Sequence, residues 1–341
     1  MKKKFMKTLV ASCFVLALVY ISCEKKNETS ISYEKEVTAS NFEDGIAKFV
    51  NAKDFFEALD NSSKMSLDER HKFESEKEFV SQVSLISGVM SKIDKAKTEE
   101  EINNIILNNK HLIQLTPDNE ITPILPLSVY SYVANKDGYF YVNNFLHKVT
   151  KDGVLISKIP RFLEINDVND AVIMFKTTSD EIKATCSATP EGQITESNRM
   201  AKIYVSTIKT CTNDGFTFYY RDYVNWTVKG FKKVLGRWFS YNSVLYYQNM
   251  SFTVRTMVHS LYGKKGANYL NEMPVYELRS YNFPGPEESP VEDWGYTWTA
   301  PVGEVFEFSS QVTLSTPSLF QVYGQGKSRG TTGWATVECG Y

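Results

Sequence analysis

The sequence predicts an α+β protein, with a small N-terminal helical domain followed by a larger antiparallel β-sandwich-like or barrel-like domain. Three observations carry that prediction. Residues 41–115 hold capping-box spacings followed by apolar residues at helical intervals. From residue 127 onward, short β-branched and aromatic runs alternate with Gly, Asn, Asp and Pro, the grammar of strands and turns. Aromatics make up 13% of the 341 residues, and Phe and Tyr (21 and 20) together outnumber Gly (18) by more than two to one. That bias favours pleated structure.

Residues 1–22 read as a signal peptide. Lys2, Lys3, Lys4 and Lys7 form a basic start, followed by the apolar run Leu9-Val-Ala-Ser-Cys-Phe-Val-Leu-Ala-Leu-Val-Tyr-Ile21. The run is short for a bilayer span, which takes about 20 apolar residues. Ser22-Cys23 closes it in a form that resembles a bacterial lipobox. The resemblance implies that Cys23 carries diacylglycerol and palmitate and holds an exported chain in the lipid bilayer, with the outer membrane expected. Several acyl chains on one residue anchor stably where a single chain does not. Residues 23–40 are polar and aperiodic and read as a flexible tether. Removing the four lysines of residues 1–22 takes the formal charge from −2 to −6. Neither value fits a basic nucleic-acid binder.

In the helical domain, Asn51-x-x-Asp54, Ser66-x-x-Glu69 and Thr98-x-x-Glu101 set a side-chain acceptor three residues before an acid. Phe55, Phe56 and Leu59 follow the first. Phe79, Val83, Ile86, Met90 and Ile93 step by four and three along a helix expected from about 76 to 95. Ile102, Ile105 and Ile106 follow Thr98. Residues 116–126, with Pro117, Pro123 and Pro126, read as a linker. The β-rich domain then spans 127–341. Asn135-Lys-Asp-Gly138 and Lys151-Asp-Gly153 are turns flanking a small hairpin of 139–142 and 145–149. Later strands are expected at 171–176, 202–210, 216–228, 238–247, 251–258, 275–281, 305–314, 318–323 and 332–338. No 20–50-residue repeat is present, so the pattern is neither solenoid nor propeller.

Export puts Cys186, Cys211 and Cys339 in an oxidising space. Three thiols allow one bridge in three ways, and Cys186–Cys211 is the preferred pair because each ends a strand-like run.

The lipobox, Met65-Ser-Leu-Asp-Glu-Arg70 with Phe73-Glu-Ser-Glu76, Val133-Ala-Asn-Lys-Asp-Gly-Tyr-Phe-Tyr-Val-Asn143 and Val234-Leu-Gly-Arg-Trp-Phe239 together resemble uncharacterised lipoproteins of the Bacteroidota envelope. The likeness is one of layout across most of the chain. It implies localisation and organisation and carries no activity with it.

The common catalytic signatures are incomplete. Gly326-Lys-Ser-Arg-Gly330 has the spacing of a serine-hydrolase elbow, yet no histidine follows it. The same stretch lacks the first glycine of a P-loop, since position 321 is Gln. His71, His111, His147 and His259 are scattered, and His71 with Glu74 forms no more than a lone i, i+3 pair. No Cys-x-x-Cys is present. No catalytic residue, metal ligand or cofactor is therefore expected. Paired acids at Glu287, Glu288, Glu292 and Asp293 leave a carbohydrate-active hydrolase as the enzymatic alternative. A structural subunit of a surface appendage is the other.

Residues 216–252 hold 13 aromatics, and Trp294, Tyr296 and Trp298 alternate beside Glu292 and Asp293. On a strand those three rings share a face, which makes the five residues the expected ligand-binding patch. The expected function is a membrane-anchored, non-catalytic binding or structural module whose partner is a glycan or another envelope protein.

Overall fold

In the computed structural model the described residues are 41–341, apart from 44, 63–64, 66, 77, 117–119, 124–128, 151–152, 159, 161–164, 166–170, 174–185, 187–189, 235, 242, 259–273, 284–291, 294–295, 313, 316 and 341. They form an α+β protein in which an N-terminal helical region precedes antiparallel sheets, and no sheet closes into a barrel. Cys23 lies outside the described residues.

The helical region opens on two strands where a helix is expected, β1 (Asn41–Glu43) and β2 (Ile46–Phe49). Helix α1 (Ala52–Ser62) begins where the Asn51 side chain accepts the Asp54 N–H at 3.0 Å. Helix α2 (Leu67–Glu76) ends before Glu78, whose φ of 51° breaks the run. Helix α3 (Gln82–Lys95) therefore starts later than its apolar stripe suggests, capped by Ser81. All five residues of that stripe are buried. Helix α4 (Glu99–Asn108) carries the Thr98–Glu101 capping box. A short hairpin, β3 (Ile113–Leu115) and β4 (Ile121–Pro123), comes next.

Strands β5 (Tyr139–Val142), β6 (Phe145–Thr150), β7 (Gly153–Ser157) and β8 (Ala171–Ile173) complete a six-stranded sheet with β1 and β2. Its β2–β5 junction is parallel, with Ala47 opposite Phe140. Residues 46–49 thus share a sheet with 139–142, and the helical segment shares its core with the strands beyond residue 138. Asn143 and Asn144 take φ of 46° and 66°, the left-handed pair that a two-residue hairpin turn needs.

The remainder is a two-layer sandwich. The inner sheet orders β9 (Glu191–Glu196), β10 (Arg199–Asn213), β11 (Phe218–Val234) and β12 (Arg237–Ser240), with β16 (Tyr296–Phe308) also on β11. The outer sheet orders β14 (Val275–Phe283), β13 (Ser243–Val258), β17 (Ser318–Ser328) and β18 (Ala335–Cys339), with β15 (Glu292–Asp293) on β13. Ile203, Val205, Trp226 and Val228 of the inner sheet pack on Leu245, Phe252, Val254, Val322 and Val337 of the outer one. Gly324 and Gly326 of β17 face Trp226 and Val228 so closely that a Cβ at either position would collide with them.

The hairpin β10–β11 is long enough to serve two cores. Its far half, with Cys211, Tyr220 and Tyr223, joins Phe49, Phe55, Phe140 and Tyr130. Helices α1 and α3 are tied to it by Arg221–Asp60 at 2.9 Å and Lys232–Asp94 at 2.5 Å, and Lys202 pairs with Glu120.

The cysteine pairing differs from expectation. Cys186 is bridged to Cys339, and Cys211 is a buried thiol outside the disulfide. The reason is distance along one strand. Cys186 packs in the sandwich core with Ile203 and Val205, whereas Cys211 lies six to eight residues farther up β10, in the other core. At about 3.4 Å per residue that is well beyond disulfide reach.

Candidate functional site

The patch expected at 292–298 is divided between the two sheets. Glu292 and Asp293 form β15 and pair with Val244 and Ser243 of β13. Tyr296 and Trp298 belong to β16 and lie opposite Val228 and Trp226 of β11. Trp294, Glu287 and Glu288 lie outside the described residues, as do the side chains of Glu292, Asp293, Tyr296 and Trp298. His71 and Glu74 do not act as a pair. His71 is exposed, while the buried Glu74 carboxylate accepts the Ser81 N–H and the Ser84 hydroxyl. Its pKa is raised because burial outweighs those bonds. Ser328 of the apparent elbow is a buried residue at the end of β17, not the exposed apex of a strand-to-helix turn.

A different surface gathers chemistry. Along β13, β17 and β18 most inward positions are apolar or glycine, Ser243, Thr256 and Ser328 being the exceptions, and the alternate positions face away from the sandwich core. Register then sets that outward face in cross-strand rows. In the first, Tyr246 is opposite Lys327, and Trp334 stands just before β18. The Lys327 ammonium lies 5.2 Å from the Tyr246 ring centre and 4.8 Å from that of Trp334, so one cation is flanked by two aromatic faces. In the second row Gln248 donates to Gln325 at 2.6 Å, and Gln325 donates to Thr336 at 3.2 Å. Exposed Asn249, held at φ 55° by a break in register, donates to the same Gln325 oxygen at 3.3 Å. A further row links Ser280, Thr253 and Gln321 through contacts of 2.9 and 3.2 Å.

Trp334 is positioned by an acid from another sheet. The Glu196 carboxylate at the end of β9 accepts the N–H groups of Thr332 and Gly333, both at 2.8 Å, and the Thr332 hydroxyl at 3.0 Å. Those backbone donors lower its pKa. The turn ahead of Trp334 is thereby fixed on both sides. Rings, one sheltered cation and a run of side-chain amides and hydroxyls can stack on an apolar sugar face and exchange hydrogen bonds with its hydroxyls. The arrangement has no paired acids and no nucleophile–base pair within it.

No pattern in the sequence marks this surface. Tyr246 falls in the aromatic-rich stretch, but Lys327 and Trp334 join it only through strand register, which no local pattern encodes.

No family model matches the chain, and no curated protein matches it. Among solved structures it is similar to the crystal structure of a DUF4848 family protein from Bacteroides thetaiotaomicron, at 17% identity, covering 87% of this chain and 98% of that one with a TM-score of 0.28.

Proposed function

We propose that the protein is an envelope lipoprotein, anchored through Cys23, that binds glycan without catalysing a reaction, using the outward face of β13, β17 and β18. The observation that carries the reading is the Tyr246–Lys327–Trp334 row beside the Gln248–Gln325–Thr336 chain. The lipobox sequence supports the anchor. The Cys186–Cys339 bridge fits an oxidising compartment outside the cytoplasm.

The test is a glycan array followed by titration of each saccharide retained. Trp334→Ala and Tyr246→Ala are expected to weaken binding by about tenfold or more, which corresponds to about 1.4 kcal/mol. Glu196→Gln is expected to weaken it less, since it loosens the turn without removing a ring. Binding that survives Trp334→Ala and Tyr246→Ala but is lost in Trp294→Ala or Trp298→Ala would move the site to residues 294–298. Retention of no saccharide would overturn the glycan reading.

A further inference from the structure

We infer that Lys209 and Asp222 condense to form an intramolecular amide bond across β10 and β11. The two residues are direct register partners on adjacent antiparallel strands. Their side chains are 0% and 1% exposed, and the Lys209 Nζ is in hydrogen-bond contact with Asp222 Oδ1. Asp222 Oδ2 is separately held by two donors from β13, the Thr256 hydroxyl at 2.9 Å and the Met257 N–H at 3.2 Å. The Met257 sulfur lies 3.0 Å from Lys209 Nζ. β16 seals the site: Gly303, at φ 72°, lies against Thr256 and the Met257 carbonyl where a Cβ has no room. A break in the β11–β16 register between Tyr220 and Asp222 sits beside the acid, the kind of irregularity that re-aims a side chain.

This geometry supplies the parts of an acyl transfer. Burial pushes the Lys209 ammonium down, against the opposing pull of the Asp222 charge, and so favours the free amine that must attack. One Nζ proton passes to Oδ1 along their hydrogen bond, leaving an amine and a carboxylic acid. The Nζ lone pair then forms a bond to Cγ, and the displaced electron pair moves onto Oδ2, where the Thr256 and Met257 donors receive the charge. A second Nζ proton moves to Oδ1, the Cγ–Oδ1 bond breaks with its electrons on oxygen, and water leaves. Nothing is oxidised or reduced. Holding both partners in contact replaces a bimolecular encounter. The product also removes two buried charges, which are costly to hold away from water.

The experiment is a tryptic digest of the full-length protein, extracted from membranes and denatured, read by tandem mass spectrometry. Trypsin does not cut after an amide-blocked lysine. The expected species is therefore Ile203–Arg221 joined to Asp222–Lys229, lighter by one water than the two peptides together. In Asp222→Ala the cut after Lys209 returns, and because the digest is run on denatured chain this variant reports whether or not it folds. Recovery of free Ile203–Lys209 and Asp222–Lys229 from the unaltered protein would show an ordinary ion pair and overturn the inference.

Discussion

Three buried tyrosines use their hydroxyls in the same way. Tyr130 donates to the Cys211 carbonyl and accepts the Cys211 N–H, Tyr220 does both with Val312, and Tyr247 donates to the Trp226 carbonyl while accepting from Val228 N–H. Each ring fills a core while its tip satisfies main-chain N–H and C=O groups, on strands for Tyr130 and Tyr247 and in the segment after β16 for Tyr220. This accounts for part of the tyrosine excess without any ligand, and it is invisible in composition because the partner backbone is distant in sequence. His147 shows the same economy. Its Nδ1–H donates to the Phe145 carbonyl at 2.9 Å, its Nε2 accepts from the Thr212 hydroxyl at 3.1 Å, and burial lowers its pKa to about 3. Between about 6.5 and 3 the unfolded chain holds a proton on this ring that the native chain does not. Stability is therefore expected to fall on acidification by up to about 1.4 kcal/mol per pH unit from this group alone. Urea denaturation across that range, with an NMR titration of the imidazole, checks it. A ring titrating near its ordinary value in the native protein would contradict it.

The elements themselves were largely readable. The Thr98 box, the α3 stripe and most later strands follow from caps and alternation. The exceptions have physical causes. β1 and β2 are only three and four residues long, too short for a periodic signal. β11 runs to Val234, beyond the expected end, because Gly230 serves close packing on Ser328 and Ser243 instead of a turn. β18 carries Cys339, whose bridge to Cys186 spans 153 residues of sequence. Closing so long a loop is worth up to about 5 kcal/mol in the chain-entropy description. Reductant is thus expected to lower the urea midpoint markedly in the unaltered protein and in Cys211→Ala, and to have no effect in Cys186→Ala. A reductant response abolished by Cys211→Ala would instead restore the pairing read from sequence.

At the scale of the molecule, the described residues form one compact unit, and the candidate binding face belongs to the outer sheet of its sandwich. Asp60 on α1 is a principal tie between the helices and the hairpin, bonding Arg221 at 2.9 Å and the buried Tyr223 hydroxyl at 3.2 Å. Asp60→Ala leaves that phenol without its acceptor and is expected to cost about 1–3 kcal/mol. Circular dichroism and tryptophan fluorescence should still report one shared transition. Two separated transitions would show that the helices and the sandwich unfold independently. The site was the least legible level, since its rows depend on register between strands some 80 residues apart in sequence.

The parallel pairing of β2 with β5 also sets an order of assembly. Ala47 and Phe140 are separated by roughly ninety residues, a closure costing about 4 kcal/mol in chain entropy before any contact offsets it. Helices α1 to α4 can coil as soon as they are made, but Phe49 and Phe55 have no Phe140 to pack against, edge-on and stacked respectively, until residue 140 arrives. The first third of the chain therefore waits, its apolar face bare, for the second. A fragment ending near residue 115 keeps helices α1 to α4, loses the strand on which Phe49 and Phe55 pack, and is expected to be prone to aggregate.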